Sequence, residues 1–323
     1  MDAAPLNPVP FFMDTLLQQI INGLVLGSIY ALIALGYTMV YGILGIINFA
    51  HGEVLMVGAM IALSTTKLVV WIWPGAPDLV VLAIALITAM ISCAALSYWI
   101  EKIAYRPLRN APRLAPLISA IGMSILLQTM AMIIWGRNHL PFPQMLPGSP
   151  MTISGTTATI TGKEIVIIVI SVITMLGLLI LVNKTKLGRA MRATAENPKI
   201  AGLMGVNANQ VISITFMIGG ALAALAGVMI ASNYGSTHFY MGFIPGLKAF
   251  TAAVLGGIGN LQGAMLGGLL LGLIESLGAG YIGELTGGVF GSNYQDIFAF
   301  MVLIVVLVFR PSGLLGEKVA DRA

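Results

Sequence analysis

Charged residues are scarce in this sequence. Only 9% of its 323 residues are Asp, Glu, Lys or Arg, and 58% are hydrophobic, with a mean hydropathy of +0.96. Soluble domains carry about 25% charged residues. A water-soluble fold of this size could not bury so much apolar surface, but a lipid bilayer can solvate it. The composition therefore indicates an integral membrane protein.

Cysteine and the common catalytic motifs are also lacking. Cys93 is the only cysteine, which excludes a disulfide framework and a thiolate metal cluster, and we expect it to be a buried packing thiol. No G-x-x-x-x-G-K-[ST], H-E-x-x-H or G-x-S-x-G motif occurs, and the three histidines are scattered. We therefore expect no ATPase site, no metal site and no cofactor in this chain. The net charge of +4 gives no indication of nucleic-acid binding.

Long apolar runs make up most of what is present. Each has the roughly 17–25 residues that a membrane helix needs. They lie at 16–37, 53–72, 79–100, 114–135, 164–183, 209–232, 262–282 and 294–310. Two shorter runs, at 38–47 and 246–258, are typical of broken helices near a transport path. We predict an all-α polytopic membrane protein with about eight full spans and two short broken-helix segments.

Basic residues are concentrated in 102–113, 184–199 and the C-terminal tail, which the positive-inside rule assigns to the cytoplasm. These assignments agree if 246–258 also crosses, which gives ten segments with both ends inside. The predicted layout is a cytoplasmic tail (1–14), a membrane domain (15–312) and a second cytoplasmic tail (313–323). Within the membrane domain, 136–163 is external and 184–208 is a cytoplasmic coupling segment. The N-terminus lacks the features of a signal peptide, so we expect the first run to remain a span.

The external segment 136–163 contains four prolines followed by a threonine-rich alternation. A small β-hairpin and an irregular loop both fit this pattern.

A weak internal repeat relates the two halves of the chain. Gly45-Ile46-Ile47-Asn48-Phe49-Ala50-His51-Gly52 is similar to Gly256-Gly257-Ile258-Gly259-Asn260-Leu261-Gln262-Gly263. In both copies a short apolar run precedes the motif and a long span follows it. Duplicated halves with a broken helix in each are typical of transporters.

The first copy contains the candidate path or gate residues Asn48 and His51, and a third candidate, Glu53, follows it directly. An ionisable group inside an apolar region is costly to bury and often functional. His51 and Glu53 are two residues apart, so they face each other only if Gly52 breaks the helix. The segment is predicted to be a gate or hinge. For its individual side chains, a hydrogen-bonded polar junction remains the alternative.

Further candidate path residues lie in the second half: Lys248, Asn260, Gln262 and Glu275. The two amides could instead satisfy backbone groups freed by a helix break. Lys248 either faces a water-filled path or the partner subunit, or extends to the outer surface, whereas Glu275 lies deeper in its span. Glycines at 263, 267, 268 and 272 give two spacings that favour close helix packing.

A short cytoplasmic helix is predicted between Asn197 as N-cap, with Pro198 at its first position, and Gly205 at its C-terminal stop. Ile200, Leu203 and Met204 then share one face. This face either docks on a partner protein or packs on the membrane domain.

Several motifs together resemble the LivH-type permeases of branched-chain amino acid ABC importers. They are Asn48–Glu53, Tyr105-Arg106-Pro107-Leu108-Arg109, Gly188-Arg189-Ala190, Ala195-Glu196-Asn197, the run from Lys248 to Gly259, and Pro311-Ser312-Gly313. The resemblance spans about residues 15–315 and covers 136–163 poorly.

The resemblance implies a bacterial inner-membrane permease that forms half of a pathway for Leu, Ile and Val. It implies a LivM-type second permease, two LivG/LivF-type ATPases that use ATP and Mg²⁺, a periplasmic binding protein and membrane lipid as partners. It also places ATPase coupling on the cytoplasmic helix. The residues concerned are Glu196, Asn197, Pro198, Ile200, Ala201, Leu203, Met204 and Gly205. The alternatives are a permease of the same family for urea, a short amide or another amino acid, and an ion-coupled secondary transporter.

Overall fold

The computed structural model describes residues 8–109, 111–112, 114–153, 156–286, 294–310 and 312–316. Seven of its helices are long and apolar enough to span a membrane, and two further apolar helices are shorter. The predicted all-α polytopic fold is confirmed. The last predicted span, 294–310, is one of the shorter helices.

The described chain contains eleven α-helices. They are α1 (Pro8–Leu44), α2 (His51–Ile72), α3 (Asp78–Ile100), α4 (Leu114–Trp135), α5 (Gly162–Lys184), α6 (Lys186–Glu196), α7 (Pro198–Leu203), α8 (Ala208–Tyr234), α9 (Phe243–Gly256), α10 (Leu261–Leu285) and α11 (Gln295–Phe309). Short strands β1 (Leu140–Pro141), β2 (Pro150–Thr152), β3 (Thr159–Thr161) and β4 (Ser236–Thr237) complete the list.

The first helix corrects one prediction. Runs 16–37 and 38–47 form a single helix, α1, so the separate short segment at 38–47 is wrong. Glycine within a helix costs only about 1 kcal/mol, and close packing offsets this at Gly36, where any side chain would collide with the imidazole of His51. The helix ends instead at Gly45, whose φ of +64° is the left-handed C-terminal conformation that glycine favours.

The start of α1 lies at the same end of the bundle as segment 136–163. The side-chain oxygen of Gln18 accepts a 2.8 Å hydrogen bond from the Thr159 N–H. For the described residues 8–14 this contact does not agree with the predicted membrane between them and 136–163, and that prediction counted 38–47 as a crossing. With the basic clusters at the other end, the positive-inside rule favours an external start for α1. Residues 1–7 and 317–323 of the predicted tails lie outside the described residues.

The other short segment, 246–258, is confirmed as a short helix, α9. At 1.5 Å per residue its 14 residues span only about 21 Å, less than the ~30 Å of a bilayer core. Gly257, with φ +106°, ends it, as Gly45 ends α1. In the second copy Asn260 then caps α10 by accepting from the Gly263 N–H. In the first copy Asn48 accepts from the Ala50 N–H, in the turn just before α2, and does not cap that helix.

Glycines allow α10 to pack closely on two neighbours. A side chain at Gly268 or Gly272 would collide with α1, near Ala31 and Gly27, and one at Gly267 would collide with Ala252 of α9. The predicted packing role of the two glycine spacings is confirmed.

On the external side, β2 and β3 pair as an antiparallel hairpin, so the hairpin alternative for 136–163 is the one found. A second pair, β1 with β4, joins this segment to the α8–α9 connection. Glu164 then caps the start of α5 by accepting from the Thr161 N–H at 2.7 Å.

Candidate functional site

The junction before α2 is held by the side chain of Asn48. Its Oδ1 accepts from the Ala50 N–H at 3.2 Å and from the Tyr105 hydroxyl at 2.7 Å. Gly52 does not break the helix, because α2 already begins at His51, so the condition for a His51–Glu53 pair is not met. Gly52 lies in the first turn, where a side chain would collide with the backbone at Gly242 and Gly246.

His51 and Glu53 do not form a pair. His51 packs against α1, with its ring 4.7 Å from that of Tyr37. Glu53 faces α4, where one carboxylate oxygen accepts from Gln128 at 2.7 Å and from Ser124 at 3.3 Å. Its other oxygen, Oε2, has no hydrogen-bond partner within the part of the chain that the structure describes.

Glu53 lies in the wall of a cavity of about 250 Å³, the Glu53 cavity. Ser124 and Gln128 of α4 line the same side as the carboxylate. The rings of Tyr37, Phe49 and Tyr240 also line it. The remaining apolar side chains come from α4 and α9 and are Ile121, Ile125, Phe243 and Leu247. The cavity therefore combines one carboxylate with an apolar surface.

A second cavity of about 830 Å³, the cytoplasmic cleft, opens where α1, α5 and α6 meet the α9–α10 connection. Its lining includes Tyr41, Val254, Gln262 and Arg192. Asn260 also lines it, and its amide donates to the Leu315 carbonyl at 2.8 Å, which ties the C-terminal segment to the helix break.

The two cavities lie one below the other along the same helix faces. Tyr37 lines the Glu53 cavity and Tyr41, one turn later on α1, lines the cleft. On α9, Gly246 lines the first and Val254, two turns later, lines the second. Phe250 lies between them.

Phe250 is one member of an aromatic barrier between the cavities. Its ring centroid is 5.8 Å from that of Phe49, in the α1–α2 connection, and 6.2 Å from that of Tyr37. Such separations are typical of packed aromatic pairs. The three rings pack together between residues that line the Glu53 cavity and residues that line the cleft.

Lys248 forms a buried ion pair near the outer face. Its Nζ lies 2.6 Å from Glu275 Oε1 and 2.6 Å from Asp296 Oδ1, and only 5% of its side chain is exposed. Lys248 therefore does not extend to the outer surface. These two contacts of Lys248 join α9, α10 and α11 beside an outer cavity of about 370 Å³.

The predicted cytoplasmic helix is present as α7. Asn197 Oδ1 accepts from the N–H groups of Lys199 and Ile200 at 3.0 and 3.1 Å, and Pro198 opens the helix. Gly205, with φ +82°, follows its end, and Glu196 is the last residue of α6. Ala201 is buried, whereas Ile200, Leu203 and Met204 are 58%, 86% and 80% exposed.

Sequence comparison places this architecture in a known group. The family described as "Branched-chain amino acid transport system / permease component" matches residues 19–307. The chain belongs to this permease family. It is 48% identical to the "High-affinity branched-chain amino acid transport system permease protein BraD" of Pseudomonas aeruginosa and 44% identical to the LivH protein of Escherichia coli that carries the same description. Each alignment covers 95% of this chain and 97% of the relative.

A more distant relative, 27% identical, is the "Probable branched-chain amino acid transport permease protein LivH" of Methanocaldococcus jannaschii, aligned over 93% of this chain and 92% of its own length. The resemblance to LivH-type permeases is thus confirmed.

The permease is a multi-pass protein of the inner membrane. Its candidate path residues lie in three separate places rather than in one site. Lys248 pairs with Glu275 beside the cavity of about 370 Å³, Glu53 lies in the wall of the Glu53 cavity, and Asn260 and Gln262 line the cytoplasmic cleft.

Sequence reasoning missed a polar cluster at the cytoplasmic end of this permease. Glu101 is fully buried and pairs with Arg106 at 2.9 Å and with Arg109. The Ser213 hydroxyl of α8 donates to the same carboxylate at 2.7 Å, and Arg109 donates to Asn209 at 2.6 Å. The sequence could have indicated this cluster, because Glu101 follows an apolar run and precedes a basic cluster. Asp296, in the first turn of an apolar helix, could likewise have been identified as a partner of a buried cation.

Proposed function

We propose that this chain is one of two permease subunits of an ATP-driven ABC importer. It forms half of the translocation pathway for branched-chain amino acids delivered by a periplasmic binding protein. The observation that carries the proposal is 44–48% identity, over 95% of the chain, to permeases named for high-affinity transport of these amino acids.

The proposed partners are a LivM-type permease, two LivG/LivF-type ATPases, the binding protein and membrane lipid, with no role for nucleic acid. ATP and Mg²⁺ are used by the ATPases, and this chain needs no cofactor. Two features support this assignment: the family contains transport-system components, and α7 presents large apolar side chains on the cytoplasmic side.

In this proposal α7 docks into an ATPase. Leu203 and Met204 expose more apolar surface than a short helix in water would keep without a partner. Ala201 is buried, whereas the face formed by Ile200, Leu203 and Met204 is exposed and does not pack on this chain's own membrane domain. Glu196, Asn197, Pro198 and Gly205 set its start and its end.

The proposed path runs from the Glu53 cavity, past the aromatic barrier, into the cytoplasmic cleft. Asn48 and His51 hold the junction beside it, and Asn260 and Gln262 lie at its cytoplasmic end. Lys248 and Glu275 fix α9 against α10 above it. Motion of the docked α7 shifts the adjoining start of α8, and alternating access follows if that shift moves α2 and α9 apart.

The test is reconstitution of the four membrane and ATPase subunits in liposomes with binding protein outside and ATP inside. We expect leucine uptake that stops without ATP, is inhibited by isoleucine and valine, and is unaffected by excess urea. Leu203→Asp should abolish uptake and release the ATPases, whereas Ala193→Asp, at an exposed position on α6, should leave both intact. Uptake by this subunit alone, driven by an ion gradient, would instead support a secondary transporter.

A further inference from the structure

Glu53 differs from the other buried glutamates of the membrane domain. Glu101 is paired with Arg106 and Arg109, and Glu275 with Lys248. No Lys or Arg within the described ranges forms an ion pair with Glu53, although the residue is only 1% exposed. An uncompensated buried carboxylate is costly. A cationic ligand bound at this position would offset that cost.

The cavity beside Glu53 has the size and lining to hold such a ligand. Its 250 Å³ would hold roughly eight waters of about 30 Å³ each, which is room for a small amino acid. Glu53 lies in its wall, and among the described residues the buried Oε2 atom has no hydrogen-bond partner. Because Glu53 is only 1% exposed, a ligand contacts this oxygen when the side chain turns toward the cavity. Apolar side chains of α4 and α9 line the cavity beside Glu53, so a ligand with a cationic group at one end and a branched alkyl group at the other would contact both.

We propose that the Glu53 cavity is a solute subsite in which the Glu53 carboxylate binds the α-ammonium group of an aliphatic amino acid. The alkyl side chain contacts the apolar wall. That wall is formed by Ile121, Ile125, Phe243 and Leu247. The inference rests on the proposed import of amino acids and adds the chemical group that the membrane path recognises. Urea, which carries no cationic group, would gain nothing from this site.

The sole cysteine makes a direct test practical. Cys93 is buried, and Cys93→Ala gives a background for single reporters. Ile125→Cys replaces a residue that lines the cavity and is 58% exposed. Its labelling by a small water-soluble maleimide is measured in membranes that hold the full complex. Met151→Cys, on the external hairpin, serves as the control that no ligand should protect.

Leucine and 3-methylbutylamine, which lacks the carboxylate, should both slow labelling of Ile125→Cys. 4-Methylpentanoate, which lacks the ammonium group, and urea should not. A charged hydrogen bond contributes enough that Glu53→Gln should weaken protection by leucine and by the amine about tenfold or more. Glu53→Asp keeps the charge and should keep the preference for amine over acid at lower affinity.

Equal protection by the acid and the amine, or undiminished protection in Glu53→Gln, would overturn the subsite. Absence of any labelling at Ile125→Cys would do the same, because it would mean that the cavity is closed to soluble ligands. If Glu53→Gln changes the labelling rate of Ile125→Cys in the absence of ligand, that variant is misfolded. The result with Glu53→Asp then decides whether the subsite exists. If the complex takes up leucine with ATP but shows no protection, only the subsite fails. If amines protect but leucine is not imported, only the proposed function fails.

Discussion

The hydroxyl of Tyr105 donates a 2.7 Å hydrogen bond to the side chain of Asn48, 57 residues earlier in the chain. The same Asn48 oxygen holds the start of α2, three residues before Glu53. Tyr105 also ends the π-helical turn that begins at Glu101, whose carboxylate binds the start of α8 through Ser213. A short connection joins α7 to α8. The hydrogen bonds of Ser213, Tyr105 and Asn48 therefore form a route from the cytoplasmic helix to α2, which carries Glu53.

We predict that Tyr105→Phe uncouples ATP hydrolysis from uptake. Loss of the hydroxyl leaves Asn48 with one donor fewer and removes about 0.5–1.5 kcal/mol of stability. Leucine imported per ATP hydrolysed should fall in proteoliposomes, with assembly of the complex unchanged. Tyr98→Phe, on α3, is the matched control and should keep the normal ratio. An unchanged ratio in Tyr105→Phe would show that these contacts carry no coupling.

We predict that Phe250→Ala opens the aromatic barrier. We expect removal of this ring to join the Glu53 cavity to the cytoplasmic cleft, because Phe250 is the member that packs against both Phe49 and Tyr37. Efflux of leucine from loaded proteoliposomes without ATP should increase. Val254→Ala truncates a side chain one turn further along the same face, where it lines only the cleft. It should not leak, and equal efflux from both variants would place the barrier elsewhere.

Local features were the most predictable from the sequence. The N-cap of α7 at Asn197 and its stop at Gly205 depend on neighbouring residues, and the structure has both. The asparagines of the two repeat copies likewise act within three residues of themselves. In each case the interacting atoms lie in one short stretch of chain, so residue type and spacing are sufficient.

Features that depend on distant contacts were not predictable. The runs 16–37 and 38–47 were predicted as separate segments, whereas they form one helix in which Gly36 packs against the distant His51. The same error misplaced the start of α1 relative to 136–163. Gln128 is 75 residues from Glu53, and no spacing rule brings the two together. The path residues were individually identifiable as polar groups in apolar runs. Their depths and partners follow only from how the helices pack.

We predict that Lys248→Met strongly destabilises the protein. It leaves Glu275 buried without its cation, which costs about 3–5 kcal/mol for a buried pair. The unfolding temperature in detergent should fall sharply. The double variant Lys248→Met/Glu275→Leu should recover much of the loss, because the buried charge is removed with its partner. If the two single losses simply added in the double variant, the pair would not be coupled.

We predict that acidification destabilises the contact between segment 136–163 and the α8–α9 connection through His238. This residue lies between β4 and α9, where burial lowers the pKa of its imidazole below the usual value, and His139, 4.3 Å away between ring centroids, lowers it further. The folded state therefore binds the proton more weakly than the unfolded chain. The stability contributed by neutral His238 is complete above about pH 6.5 and is lost as pH falls below it. The unfolding temperature should drop between pH 8 and pH 5 less steeply in His238→Gln than in the parent, whereas an identical slope would assign the pH dependence to other groups.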